Sequence, residues 1–230
     1  MSNLALALPP DLHEGDQLSA NEFLRRWEAM PELKHAELLN GVVFLMASPV
    51  GKPHGVSQVS LAGWVWLYAD STPGCQAGSD MTWLMGDANV PQPDVCLWIL
   101  PEHGGQSGDS GRYAQGAPEL IVEISGSSTS RDLGVKLDLY RRAGVREYIT
   151  VLLNPRRVVW RALVRGRYKE LEPEADGLLR SRAFPGLWLD REAVWDRSRS
   201  LRAGLEQGLR SPEHAAFVEQ LAKPVKRRRR

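Results

Sequence analysis

The sequence lacks the marks of several large protein classes. It has two cysteines, Cys75 and Cys96, in 230 residues. That is too few for a disulfide framework and fits a reducing compartment, so a cytoplasmic location is expected. No run approaches the roughly 18 apolar residues of a membrane span, and the opening Met1-Ser2-Asn3-Leu4-Ala5-Leu6-Ala7-Leu8 has neither the basic start nor the length of a signal peptide. No internal repeat occurs. Neither G-x-x-x-x-G-K-S/T nor G-x-G-x-x-G is present, so no nucleotide cofactor is expected, and the absence of C-x-x-C and H-E-x-x-H spacings leaves zinc without support. Charge of one sign is also lacking: 29 Lys and Arg face 28 Asp and Glu. Five of the basic residues are the terminal Lys226 to Arg230; taking those five from 29 leaves 24 against 28, a slightly acidic body. Such a body is no general polyanion binder, so any nucleic-acid contact must come from a local patch or from the tail.

What is present is ordinary globular composition, 43% hydrophobic and 25% charged, at a length that buries its own core. Ser19-Ala20-Asn21-Glu22 forms a capping box ahead of Phe23, Trp27 and Met30, predicting a helix that Pro31 ends. Asn40-Gly41 between two apolar runs predicts a hairpin. Val56, Val59, Ala62, Gly63, Trp66 and Leu67 favour a helix over 55–68. Strands are expected at 81–85, 94–100 and 119–125, with the Gly- and Ser-rich stretch 103–117 as a long loop. A helix from about 130 to 143 follows, then strands at 147–153, 157–164 and 167–171. Pro212 opens a last helix reaching about 223. The eight tryptophans read as core. The economical reading is a mixed α/β protein: a flexible N-terminus over 1–18, one domain over 19–190, a C-terminal helical extension over 191–223 and a basic tail over 224–230.

Three charged residues stand where a bland fold would not place them. Glu123 interrupts Leu120-Ile121-Val122-Glu123-Ile124, a strand otherwise apolar on both faces, and a carboxylate there needs a partner or a cation. Asp94 opens the apolar strand Val95 to Leu100. On a helical wheel Lys136 lies inside the apolar arc of Val135, Leu139, Tyr140, Leu133 and Leu137, with Asp132 nearby, while Arg131, Gly134, Asp138, Arg141 and Arg142 take the exposed side. An inward lysine calls for an anion, and Glu123 is the nearest candidate. Lys136 can be read as a snorkelling side chain, as half of a structural ion pair, or as part of a catalytic site. Two acids and a lysine have a definite chemical use: the acids hold a hard cation such as Mg²⁺, and the lysine orients a water or stabilises developing charge on a phosphodiester.

Gln92-Pro93-Asp94, the segment Ala117 to Ser125, Asp132 and Lys136 ahead of Tyr140, and Gly144-Val145-Arg146-Glu147-Tyr148 together resemble the Uma-type restriction endonuclease family of the PD-(D/E)XK nuclease superfamily. The likeness runs from about Ser19 to Leu189. It implies a restriction-endonuclease-like core, a mixed β-sheet flanked by helices with an N-terminal helix and hairpin and a C-terminal helix. It further implies Mg²⁺ (or Mn²⁺) held by Asp94 and Glu123, Lys136 as the catalytic lysine, and DNA as the substrate. The superfamily's usual lysine position, two residues after the acid, is Ser125 here, so the lysine has moved to the following helix. Glu37, His54, Gln92, Ser125 and Asp132 are candidates to line the site. Superfamily members that cut duplex DNA often act as dimers, which makes a homodimer a further expectation. The rival expectation is a nuclease-like fold serving as a non-catalytic DNA-binding or protein-interaction module.

Overall fold

The computed structural model describes residues 9–45, 49–109, 111–126 and 128–223. The basic tail and the first eight residues, about which expectations were stated above, lie outside them. The chain order is α1 (Ala20–Glu28), β1 (Ala36–Leu39), β2 (Val42–Leu45), α2 (Lys52–Asp70), β3 (Cys75–Ser79), β4 (Trp83–Leu84), β5 (Val95–Ile99), β6 (Gly108–Asp109), β7 (Ala114–Gln115), β8 (Leu120–Ser125), α3 (Thr129–Asp132), α4 (Val135–Ala143), β9 (Glu147–Leu153), β10 (Arg156–Val164), β11 (Arg167–Glu170), β12 (Leu179–Arg180), β13 (Trp188–Leu189), α5 (Leu201–Leu209) and α6 (Pro212–Leu221).

A six-stranded mixed sheet with the order β11-β10-β9-β8-β5-β3 forms the centre. Its one parallel pair, β8 with β9, is bridged by the α3–α4 crossover, and its other neighbours are antiparallel. The period of two along a strand sorts the side chains. Val95, Leu97, Leu120, Val122, Ile124, Ile149 and Val151 face a core shared with Leu61, Trp64 and Tyr68 of α2 and with Leu205, Phe217 and Leu221 of the C-terminal helices. Cys96, Trp98, Ile121 and Tyr148 face the other way, against Leu139 and Tyr140 of α4 and Leu39 of the hairpin. Asp94 and Glu123 share the parity of this second face. A third cluster, with Leu12, Phe23, Leu38, Val43 and Val90, packs α1 behind the hairpin. Mixed α/β architecture with helices on both sides of a mixed sheet is therefore what the chain adopts. No helix among the described residues is long and apolar enough to cross a membrane.

The hairpin turns where Asn40-Gly41 predicts, with φ of 53° and 80° at the two residues, the left-handed pair that a two-residue connection requires. At α1 the Ser19 hydroxyl accepts from the Glu22 amide at 3.3 Å. The Glu22 side chain does not reach back to complete the box; it pairs with Arg25 and Arg26, each at 2.7 Å. Leu12 is buried and Gln17 bridges Val42, which holds the second half of the N-terminal stretch along β2.

Several elements differ from the sequence expectations. The helix expected over 130–143 is broken into α3 and α4 at Gly134, where a Cβ would sit 2.7 Å from the Ser130 carbonyl oxygen, so the chain passes there only without a side chain. The long loop at 103–117 contains β6 and β7, which join β4 in a small three-stranded sheet. The face of α2 that meets the core carries Leu61, Trp64, Val65 and Tyr68, whereas Val59 and Trp66 are 69% and 56% exposed. Trp66 is accordingly not a core residue.

Candidate active site

The β1 alternation sends Ala36 and Leu38 towards α1 and turns Glu37 and Leu39 to the sheet. Register does the same for the two strand acids: Val95 opposes Val122, so one residue further out Asp94 opposes Glu123. Crossing above them, α4 lowers Lys136 between these layers. Its ammonium lies 2.8 Å from Glu37 Oε1, 2.9 Å from Glu123 Oε1 and 4.0 Å from Asp132 Oδ1, and all four side chains are at least nine-tenths buried. The helical-wheel placement of Lys136 thus holds, and its anions come from three separate elements.

Each acid is further fixed. Tyr140 donates its hydroxyl to Glu123 Oε1 at 2.7 Å. The Gln92 amide donates to Glu37 Oε1 at 2.8 Å. Ser125 and Ser128 donate to Asp132 Oδ2 at 2.7 and 2.5 Å, and the Tyr148 hydroxyl donates to the Asp132 carbonyl at 3.0 Å. Asp94 Oδ2 accepts from the Ile124 amide at 2.6 Å, while its Oδ1 lies 3.5 Å from His54 Nε2. The structure therefore brings together all eight residues named from the sequence. The Ser125 hydroxyl supports Asp132, the acid 4.0 Å from the Lys136 ammonium.

The wheel misplaced Arg131. With the helix broken at Gly134 its phase changes, and the guanidinium stacks over Phe44, 5.0 Å from the ring centroid, with one nitrogen 3.9 Å from Glu37 Oε2. Tyr140 and Tyr148, which sequence reading gave no task, are the hydroxyl supports of Glu123 and Asp132. A buried tyrosine on the lysine's own helix face was the available signal.

The electrostatics follow from crowding. Burial pushes the Glu123 carboxyl well above the ordinary carboxylate range; Lys136 pulls against that, and Asp132, Asp94 and Glu37 add to it. For Lys136 burial disfavours the charge, but Glu123, Glu37 and Asp132 outweigh it and hold the ammonium above its usual range. The Asp94 carboxylate raises His54, against its partial burial. Three carboxylates, those of Glu37, Glu123 and Asp132, thus share one buried lysine at ion-pair distance, Arg131 stands by Glu37, and Asp94 faces His54. Three buried oxygens here, Glu37 Oε2, Asp132 Oδ1 and Gln92 Oε1, accept no hydrogen bond.

Two other buried acids show the contrast. Glu147 accepts from Trp160 Nε1, Ser181 Oγ and the Arg182 and Ala183 amides. Glu119 accepts from the Ile99 and Gln106 amides. Their neighbours are mainly neutral donors that tie chain segments together, which is a structural role. The acids around Lys136 instead face one another, and that surplus of oxygen and negative charge suits a hard divalent cation. Among the described residues no group of three His, Cys, Asp or Glu side chains is placed to hold an ion together. A cation here would therefore rest on two carboxylates, with water or phosphate oxygens completing its shell, as is common for Mg²⁺.

A family model described as "Putative restriction endonuclease", Uma2, matches residues 20–192. Among solved structures, the crystal structure of a putative nuclease belonging to DUF820 from Anabaena variabilis ATCC 29413 is similar, with a TM-score of 0.55 and 17% identity over 84% of this chain and 99% of that one. At that identity the likeness speaks for the fold. None of the curated proteins matches.

Proposed function

This chain belongs to the Uma2 restriction endonuclease family, and we propose that it is a Mg²⁺- or Mn²⁺-dependent endonuclease hydrolysing phosphodiester bonds in DNA. The observation that carries this reading is the surplus of acid around Lys136: Glu37, Glu123 and Asp132 surround one ammonium, and Glu37 Oε2 and Asp132 Oδ1 accept no hydrogen bond from the protein. A structural ion pair needs only one acid for one lysine, and each further buried acid adds a desolvation cost of its own.

In this reading Asp94 and Glu123 hold the cation. When bound, the metal polarises the phosphodiester and lowers the pKa of a coordinated water. The chain's own groups prepare the site. The Ile124 amide holds Asp94 Oδ2, which fixes the direction of Oδ1. Lys136 and Tyr140 both occupy Glu123 Oε1, so Glu123 would hold a cation through its other oxygen. Two of the three Lys136 N–H bonds are directed at Glu37 and Glu123; the third can donate to the attacking water or to a non-bridging phosphate oxygen, where charge develops. Glu37 counterbalances Lys136 and keeps the ammonium charged. His54, beside Asp94 and partly exposed, is placed to donate to a phosphate oxygen at the mouth of the site.

The test is nicking of supercoiled plasmid in Mg²⁺, Mn²⁺ or EDTA by the wild type, Asp94→Asn and Glu123→Gln. Metal-dependent nicking that both variants lose supports the assignment. Nicking that survives in both removes it. Absence of nicking by the wild type, together with absence of Mn²⁺ binding in calorimetry, would favour the non-catalytic module.

A further inference from the structure

A cavity of about 670 Å³ opens at the other end of the sheet, lined by Ile99 at the end of β5, by the start of β9, by the end of β10, by the 182–185 segment and by α6. Asp94 precedes the first residue of β5 and Ile99 is the last, so about five residues at roughly 3.3 Å each separate the two regions by about 17 Å along the strand. The cavity is therefore distinct from the carboxylate cluster.

Its lining combines two chemistries. Ile99, Phe217 and Leu221 supply apolar walls, and Arg146, Arg182 and Lys223 supply three cations. Arg182 and Lys223 make no ion pair among the described residues. Arg146 is steadied from one side, its Nε donating to Gln106 Oε1 at 3.4 Å and its NH2 lying 3.9 Å from Glu119 Oε1. One carboxylate, Glu147, also borders the cavity, but it is buried and its oxygens already accept four donors from the protein. The accessible charge is accordingly positive, on a chain whose body is slightly acidic.

We propose that this cavity binds a phosphate monoester with an apolar or aromatic body of nucleotide size. Three cations with little compensation suit a dianion, and a phosphate monoester carries close to two negative charges at neutral pH. Arginine presents paired N–H donors that match phosphate geometry. The volume is far larger than a free phosphate needs and lies in the range of small-molecule sites. The apolar walls give the remainder of such a ligand its contact surface. The cavity and its cations are independent of the nuclease reading.

The test is calorimetric titration of the full-length protein, at moderate salt with EDTA present, using adenosine 5′-monophosphate, inorganic phosphate and adenosine as separate probes. We expect saturable one-to-one binding of the monophosphate, with phosphate and adenosine each at least about tenfold weaker. Arg182→Ala and Arg146→Ala should each weaken the monophosphate by about tenfold or more while melting like the wild type. Arg165→Ala, at an exposed turn outside the cavity, should leave it unchanged. Absence of binding, equal binding of phosphate and monophosphate, or equal weakening by Arg165→Ala and Arg182→Ala would each overturn the proposal.

Discussion

Replacing Lys136 with methionine removes the charge that Glu37, Glu123 and Asp132 surround while keeping most of the side-chain volume. At 2.8 and 2.9 Å each carboxylate attracts the ammonium by about 6 kcal/mol at an effective dielectric constant of about 20. Relief of the ammonium's desolvation cancels part of that, and removing one partner of a buried pair typically leaves a net loss of about 3–5 kcal/mol. For a domain of this size the melting temperature should fall by about 6–20 °C. The loss should also depend on pH. Glu123 already titrates well above the ordinary range because of burial and its acid neighbours, and without the ammonium it rises further. The folded variant then holds a proton that the unfolded chain has released above about pH 4.3. Its stability consequently falls as pH rises towards the elevated folded pKa. Urea unfolding of wild type and variant at pH 5.5 and pH 8 reads both effects, the difference being larger at pH 8. Adding Glu123→Gln should restore at least about 1 kcal/mol at pH 8, since folding then no longer has to protonate the buried carboxylate. A loss below about 1 kcal/mol, or one equal at the two pH values, would refute the claim that this ammonium holds the cluster together.

Two further outcomes follow from the other buried groups. Glu147→Ala strands four donors, among them Trp160 Nε1 and Ser181 Oγ, and should cost at least about 3 kcal/mol in urea unfolding without changing the metal dependence of any nicking; a silent substitution would show that those donors find other partners. Burial pushes the thiols of Cys75 and Cys96 up to about 12, against about 8.5 in the unfolded chain. The unfolded state therefore releases these protons first, and their contribution to stability, complete below about pH 8.5, is lost as pH rises towards 12. Changing both residues to alanine should flatten the decline in urea midpoint between pH 8 and pH 10, and an unchanged slope would remove the thiols as its cause.

Much of the site was legible because its residues break local rules. Glu123 in an apolar strand and Lys136 inside an apolar helix face each advertise a partner, since burying either alone is prohibitive. The hairpin was legible because Asn40-Gly41 supplies left-handed backbone at both turn positions. What escaped reading had no such contrast. β3 spells Cys75-Gln76-Ala77-Gly78-Ser79, with no alternation to betray an edge strand, and β6 and β7 are too short to leave a period. Arg131 was assigned to solvent because a continuous helix was assumed across Gly134. For α2, apolar residues occur on two sides, and the sequence offers no way to choose between the Trp64 side and the Trp66 side. Glu119 immediately precedes β8 and Glu147 begins β9, where an acid looks ordinary, so their burial could be seen only once segments distant in sequence had closed over them.

The anions of Lys136 arrive from three places: the N-terminal hairpin, the central sheet and the crossover helix. One ammonium is therefore a charged joint common to all three layers. When the hairpin lifts away, Lys136 keeps Glu123 but loses Glu37, and the pocket around it opens to water at the same moment. Assembly of the site is thus coupled to the docking of the layer formed by residues 9–45. Amide protons of the hairpin should exchange with solvent through the same opening that disassembles the acid cluster, which makes this peripheral layer a gate on the assembled site.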